Sequence, residues 1–214
     1  MVGSNCFYQA GWLGSRLVMD LFYRNTIEGI HHVPKEGPFI VASNHLSYFD
    51  PPLVGSSLPR ELYYFARKTL FKPGWRSHVL EQVHTIPVDR DGDGSDISAF
   101  KRVFQVLKGG DALLIFPEGT RSRDGQPGKP QRGVGLIACR AGVPVLPVRI
   151  FGTYTVYGRD RKLPDWQGRF AVVFGPPLVP ESFDPGAQHE DRYPEAARRI
   201  MRAITDLRLP PPGL

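Results

Sequence analysis

Ser43-Asn44-His45-Leu46-Ser47-Tyr48-Phe49-Asp50-Pro51-Pro52 is the stretch from which the fold and chemistry of this 214-residue chain are read. It follows a short apolar run, residues 38–42, that reads as a buried strand. It ends in Asp-Pro-Pro, where Asp50 is placed to cap a helix and Pro51 to fill the helix's first position. His45 therefore stands at the mouth of a strand-to-helix turn. Connections held by a rigid scaffold are where catalytic side chains concentrate, and a loop here lets the Asp50 carboxylate fold back to the imidazole. A His oriented by a carboxylate is suited to general-base work. A plainer reading stands beside it: Asp50 as an N-cap worth about 0.5–2 kcal/mol, and His45 bonded to backbone.

Working outward, apolar runs at 27–33, 39–42, 62–66, 83–88, 112–116, 145–151 and 170–174 read as strands. Helices are expected over 51–58, 97–107, 133–141 and 190–207, where apolar residues recur every three or four positions or small residues gather. The glycines of 133–141 permit close approach of another backbone, and His31 and His32 are expected on opposite faces of their strand. Strands alternating with helices predict a single α/β domain, a mostly parallel twisted sheet covered by helices on both faces. That domain is expected over 25–207, behind an N-terminal amphipathic helix within 1–24 and ahead of a frayed tail at 208–214. At this length one core buries about 70% of the unfolded surface, so no second domain is needed.

The N-terminal helix is expected over residues 7–23, with Gln9, Arg16 and Asp20 in a narrow polar stripe. Its Trp, Phe and Leu residues suit the headgroup boundary of a bilayer, or equally the domain's own core. No stretch approaches the ~18 uncharged apolar residues of a membrane span, and the N-terminus has no signal-peptide pattern. Lys and Arg number 27 against 21 Asp and Glu, a net +6, which points to an anionic partner: an acidic bilayer, a phosphorylated substrate or nucleic acid. No nucleic-acid-binding module is recognisable. Cys6 and Cys139 form no framework, as expected on the reducing, cytosolic side. The six histidines make no metal-ligand pattern. Residues 89–94, Asp-Arg-Asp-Gly-Asp-Gly, match the first half of a calcium loop, but Phe100 stands where the closing Glu belongs, so the segment reads as an acidic loop.

A second block lies seventy residues on: Phe116-Pro117-Glu118-Gly119-Thr120-Arg121-Ser122. Here the chain resembles the glycerophospholipid acyltransferases, the family that includes bacterial 1-acyl-glycerol-3-phosphate acyltransferase. Asn44, His45 and Asp50 match its Asn-His…Asp signature, and residues 116–122 match its Phe-Pro-Glu-Gly-Thr-Arg-Ser block. An apolar strand ending in an Arg is matched by 85–90, and an apolar run with two prolines by 143–148. Four blocks in the family's order cover residues 38–150.

The resemblance implies acyl transfer from a thioester, acyl-CoA or acyl carrier protein, to the free hydroxyl of a lysophosphatidic acid, with no other cofactor and no metal. His45 would take the hydroxyl proton and Asp50 would fix its tautomer, as the acid of a Ser-His-Asp triad does. A covalent route through Ser47 is disfavoured, since that serine lacks the Gly-x-Ser-x-Gly elbow. Arg90 and Arg121, expected at the same sheet edge, are assigned the acceptor's phosphate, which a guanidinium grips with two parallel bonds. Lys68, in a basic and aromatic segment at 67–76, is a further phosphate candidate. Glu118 would orient Arg121 or bond the acceptor's glycerol. Gly119 would make a tight turn and offer backbone N–H groups to the reacting carbonyl, and Thr120 belongs to the same substrate-binding block. The expected setting is the cytoplasmic face of the cell membrane, peripheral or monotopic. The alternatives are another lysolipid or alcohol acceptor, or a catalytically silent lipid-binding module.

Overall fold

The computed structural model describes residues 6–71, 74–88 and 97–209; Arg90, the acidic loop at 89–94 and the tail beyond 209 lie outside the described residues. In chain order the elements are α1 (Cys6–Phe22), β1 (Arg24–Glu28), β2 (Phe39–Ser43), α2 (Asp50–Ser57), β3 (Leu62–Arg67), α3 (Trp75–Gln82), β4 (Thr85–Val88), α4 (Ile97–Lys108), β5 (Ala112–Ile115), α5 (Arg132–Ala141), β6 (Val145–Phe151), α6 (Thr153–Tyr157), β7 (Arg169–Phe174), α7 (Pro180–Phe183) and α8 (Arg192–Asp206). The strands form one seven-stranded sheet in the order β1-β7-β6-β2-β5-β3-β4. β6, β2, β5, β3 and β4 run parallel; β7 is antiparallel to β6, and β1 is parallel to β7.

The order follows from hydrophobicity. β2 and β5 are buried along their whole length, so their continuous apolar runs belong at the centre of a sheet covered twice. Ile40, Ala42, Leu113 and Ile115 face a core closed by α4, α5, α7 and α8. Phe39, Val41, Ala112 and Leu114 face a second core closed by α1, α2 and α6. The expected mostly parallel, doubly covered α/β domain is what the chain forms.

Several boundaries differ from the sequence reading. The first strand is Arg24–Glu28, because Gly29 adopts φ 71° and turns the chain into a 3-10 turn over Ile30–His32. A side chain at Gly29 would place its Cβ 2.1 Å from the Phe174 carbonyl oxygen. His31 and His32 therefore do not straddle a strand; their rings lie 4.1 Å apart, and His32 Nδ1 sits 2.9 Å from the same Phe174 oxygen. The fourth strand starts at Thr85 rather than 83, since His84 is left-handed (φ 57°) with Nε2 2.8 Å from Glu61.

α1 docks one face on the domain's own core and leaves another exposed. Tyr8 and Met19 are buried; the Tyr8 hydroxyl accepts the Leu62 N–H at 2.9 Å, and Trp12 Nε1 donates to the Leu58 carbonyl at 3.1 Å. Arg16 and Asp20 pair at 2.8 Å along the polar stripe. Phe7, Leu13, Leu17, Val18 and Leu21 remain exposed on the third side.

On the opposite layer, α5 crosses α8 at Gly135, where an added Cβ would meet the Tyr193 carbonyl oxygen at 2.0 Å and the Ala197 nitrogen at 3.0 Å. The small-residue reading of this helix is correct, and the contacting atoms are backbone, which cannot rotate away. Gly135→Ala is expected to destabilise the fold by about 1–3 kcal/mol, read as a lowered midpoint in a denaturant titration, whereas Gly133→Ala, with open space at its Cβ, is expected to leave the midpoint unchanged or raise it.

Candidate active site

β2 and β5 are parallel neighbours, as are β2 and β6, so the loops leaving all three emerge at one carboxyl edge. The first pin is Asn44, fully buried at the end of β2. Its amide takes the Ile150 N–H at 2.7 Å and donates to the Ile150 carbonyl at 2.9 Å, fastening the loop to β6. His45 follows, with Nδ1 2.9 Å from Asp50 Oδ2. The same oxygen accepts the N–H groups of Leu46 at 2.6 Å and Ser47 at 2.7 Å. Asp50 is wholly buried.

Asp50 thus opens α2 but does not cap it; its carboxylate reaches back to the turn before the helix, and the helix has no side-chain cap. The imidazole is clamped from two directions, at Nδ1 by Asp50 and across its face by Phe116, whose ring lies 4.0 Å away at 16°. With the Nδ1 proton donated to Asp50, Nε2 carries the free lone pair. Ser47 is buried, donates to the Tyr157 carbonyl at 2.7 Å and accepts the Phe49 N–H at 3.0 Å. Its hydroxyl serves the loop's architecture.

Glu118 is only 5% exposed and neither orients Arg121 nor faces outward. One carboxylate oxygen accepts the His45 N–H at 2.9 Å and the other the Gly128 N–H at 3.0 Å. It joins the histidine loop to the loop after β5, and Ser122 N–H adds a second tie to the His45 carbonyl at 2.8 Å. Burial raises the Glu118 pKa to about 7, against the opposing pull of these two N–H groups, and the Asp50 charge adds to the rise. Gly119 makes the expected tight turn, with φ 69°. Its N–H is occupied by the Phe116 carbonyl at 3.0 Å rather than presented to a reacting carbonyl.

Arg121 lies flat on Tyr48, Cζ 3.4 Å from the ring centroid. Its buried Nη1 has no hydrogen-bond partner among the described residues. Tyr48 in turn packs on Tyr157 at 5.4 Å. Thr120 is exposed beside Arg121, and Lys68 is exposed in the 3-10 turn that leaves β3 at the same edge. The structure therefore brings His45, Asp50, Glu118, Gly119, Thr120 and Arg121 to two tied loops, while Lys68 stands on the adjoining strand end and Arg90 lies outside the described residues. Among the described residues no group of His, Cys, Asp and Glu is arranged to hold a metal ion.

Sequence reasoning missed the parts played by Phe116, Tyr48 and Tyr157. An aromatic at the end of a central strand next to a candidate base is a usable signal for the first. The other two depend on how α6 returns over the loop, which no local pattern encodes.

Residues 24–151 match the acyltransferase family. The chain is 31% identical over 133 residues to the chloroplastic 1-acyl-sn-glycerol-3-phosphate acyltransferase of Brassica napus, covering 62% of this chain and 38% of that one. It is 31% identical over 153 residues to the 1-acyl-sn-glycerol-3-phosphate acyltransferase of Bacillus subtilis, covering 71% of this chain and 72% of that one. The crystal structure of the 1-acyl-sn-glycerophosphate acyltransferase PlsC from Thermotoga maritima superposes with a TM-score of 0.73 at 26% identity, over 94% of this chain and 78% of that one. The chain thus spans well under half the length of the plant relative and most of the bacterial one.

The two N–H groups on Glu118 define a test. A carboxylate accepts both, whereas glutamine accepts one and turns an NH₂ toward the other donor. Glu118→Gln is expected to lower kcat more than tenfold with KM little changed, because the His45 loop loses a tie while no outward-facing group changes. The raised pKa sets the sign of the stability effect. The folded state holds the Glu118 proton from the ordinary 4.5 up to about 7, so this group's contribution to stability is present at low pH and is lost as pH rises through that window. Denaturation midpoints measured across it should fall less steeply in Glu118→Gln than in the parent.

Proposed function

This chain belongs to the acyltransferase family, and from that membership we propose that it transfers a fatty acyl group from a thioester donor, acyl-CoA or acyl carrier protein, to the free hydroxyl of 1-acyl-glycerol-3-phosphate, giving phosphatidic acid. The observation that carries the reading is the His45–Asp50 contact of 2.9 Å, built on a buried carboxylate at the sheet's carboxyl edge, with the guanidinium of Arg121 held on the neighbouring loop. A lipid-binding module with no catalysis has no use for an imidazole clamped at one nitrogen and left with a lone pair on the other.

In this mechanism the acceptor hydroxyl attacks the thioester carbonyl while His45 Nε2 takes its proton, a contribution of about 10²–10⁴ in rate. Asp50 stabilises the imidazolium that forms. The tetrahedral intermediate collapses with cleavage of the C–S bond, and the imidazolium returns its proton to the departing thiolate. The new ester bond and the free thiol balance the reaction. Arg121 receives the acceptor's phosphate, and Tyr48, stacked under the guanidinium, keeps the fork from swinging. Lys68 and Thr120 complete the substrate's polar surroundings, and Arg90, outside the described residues, is a further phosphate candidate from the family resemblance alone. Radiolabelled acyl transfer tests the assignment: His45→Ala is expected to cost at least a hundredfold in kcat, and Arg121→Ala to raise KM for lysophosphatidate far more than for monoacylglycerol. Full turnover by His45→Ala would remove the proposed base.

The substrate is a lipid, and we place the protein on the cytoplasmic membrane surface, peripheral or monotopic, through the exposed side of α1. No helix among the described residues is long and apolar enough to cross a membrane. Leu13, Leu17 and Leu21 are 53%, 50% and 74% exposed, so they tolerate substitution without loss of core. Leu→Asp at these three positions is expected to lower vesicle cosedimentation by about tenfold per leucine that would otherwise be buried, with an unchanged thermal melt. Removing α1 whole is a poorer test, because Tyr8 and Trp12 hold Leu58 and Leu62 in place.

A further inference from the structure

The segment between α6 and β7, residues 158–168, is an exposed excursion that no part of the proposed acyl transfer uses. It is nevertheless firmly built. Asp165 N–H donates to the Val156 carbonyl at 2.8 Å and closes the loop at its base, and Arg161 N–H bonds the Gly158 carbonyl at 3.2 Å. At Gly168 an added Cβ would lie 2.3 Å from Val156 Cγ2, so the base is packed without slack. What this loop presents outward is unusual for a solvent-facing turn: Leu163 is 77% exposed and Trp166 54%, beside exposed Arg159, Arg161, Lys162 and Arg169. Against those four cations stand Asp160 and Asp165.

The loop is continuous with the exposed side of α1. Trp166 packs edge-on against Phe22 at 5.4 Å and stacks on Tyr23 at 5.8 Å. The end of α1 and residues 166–169 share an open hollow of about 500 Å³. From its other end the loop reaches the candidate active site within one residue: Tyr157 accepts the Ser47 hydroxyl, and Gly158 pairs with Ser47 in an antiparallel bridge.

We propose that residues 159–166 form a second membrane-docking element which, with the exposed side of α1, seats the protein on an anionic bilayer. This rests on the placement of the protein at a membrane under the proposed function. A Trp braced by aromatic neighbours and a neighbouring Leu suit the interfacial zone, and the basic side chains meet anionic headgroups, whose attraction falls off within a Debye length. The cations select the partner: an apolar patch meant for a second protein copy would gain nothing from them, since that copy carries the same positive charge.

The test is cosedimentation of the full chain with phosphatidylglycerol-rich vesicles and with neutral phosphatidylcholine vesicles. Arg161→Gln with Lys162→Gln is expected to weaken binding to the anionic vesicles by about fivefold per cation removed and to leave neutral-vesicle binding unaltered. Leu163→Asp, at a position with no core contact to lose, is expected to weaken binding to both, with a parental thermal melt. Variants that bind anionic vesicles as the parent does would overturn the inference. So would a parent that sizes as a dimer, dissociates on Leu163→Asp and leaves vesicles unbound. Acyl transfer to lysophosphatidate by the parent in detergent micelles reports on the proposed function separately: turnover with unchanged docking of the variants removes only the loop, and docking without turnover removes only the acyltransferase reading.

Discussion

One oxygen, Asp50 Oδ2, holds the turn that carries His45 in place. It gathers the His45 ring and the Leu46 and Ser47 amides within 2.9 Å, on a side chain with no solvent exposure. Burying a carboxylate costs several kcal/mol unless donors replace the lost water. Hydrogen bonds to a charged group contribute about 1.5–3 kcal/mol each, so three of them offset a penalty that one would not. The same bonds fix the turn between β2 and α2, so the group that orients the imidazole also shapes the backbone carrying it. All three donors fall on Oδ2 and the buried Oδ1 has no partner among the described residues, so an Asn with its amide oxygen at the Oδ2 position would keep the bonds and lose only the negative charge beside the imidazole.

Within the turn the Phe49 N–H on the Ser47 hydroxyl adds to those bonds, and further ties come from neighbouring strands. Asn44 fastens its start to β6, and Glu118 and Ser122 fasten its middle to the loop after β5. These attachments exist because β6, β2 and β5 lie side by side and run the same way. In open parallel sheets the crevice at the carboxyl ends of the strands is where ligands bind, and here three adjacent ends supply one constellation. The buried apolar runs of β2 and β5 set that adjacency. Each fully buried Ile, Leu or Phe contributes about 1.5–3 kcal/mol, which keeps the two strands central and brings residues 45 and 118 together across 73 positions of sequence.

What could be read from the sequence follows the same division. The α/β class, the central strands, the helices Ile97–Lys108 and Arg132–Ala141 and the His45–Asp50 pairing were legible because each is encoded locally, by periodicity, a long apolar run or a five-residue spacing. The strand expected to run through 33 failed for a non-local reason: Gly29 turns because the Phe174 carbonyl leaves no room for a side chain, and nothing near Gly29 names Phe174. Glu118 was placed in the right block, but the partners it has here, the backbone amides of residues 45 and 128, are invisible to side-chain matching. α3, α6 and α7 are short, and their residues carry too weak an apolar rhythm to stand out from the loops around them.

Ser47 shows how the outer surface and the chemistry are joined. As a nucleophile it would need an exposed hydroxyl with a lone pair free for attack; instead its proton is given to Tyr157 and its oxygen accepts Phe49 N–H. Tyr157 also packs against Tyr48 and Phe49, the two residues between Ser47 and Asp50, and Tyr48 carries Arg121 on its other contact. The chain then runs from Tyr157 straight into the basic, Trp-bearing loop. The Ser47 bond, the bridge at Gly158 and two aromatic contacts all lie on the connecting residues. The loop that faces outward therefore starts from residues bonded directly to the turn that carries His45.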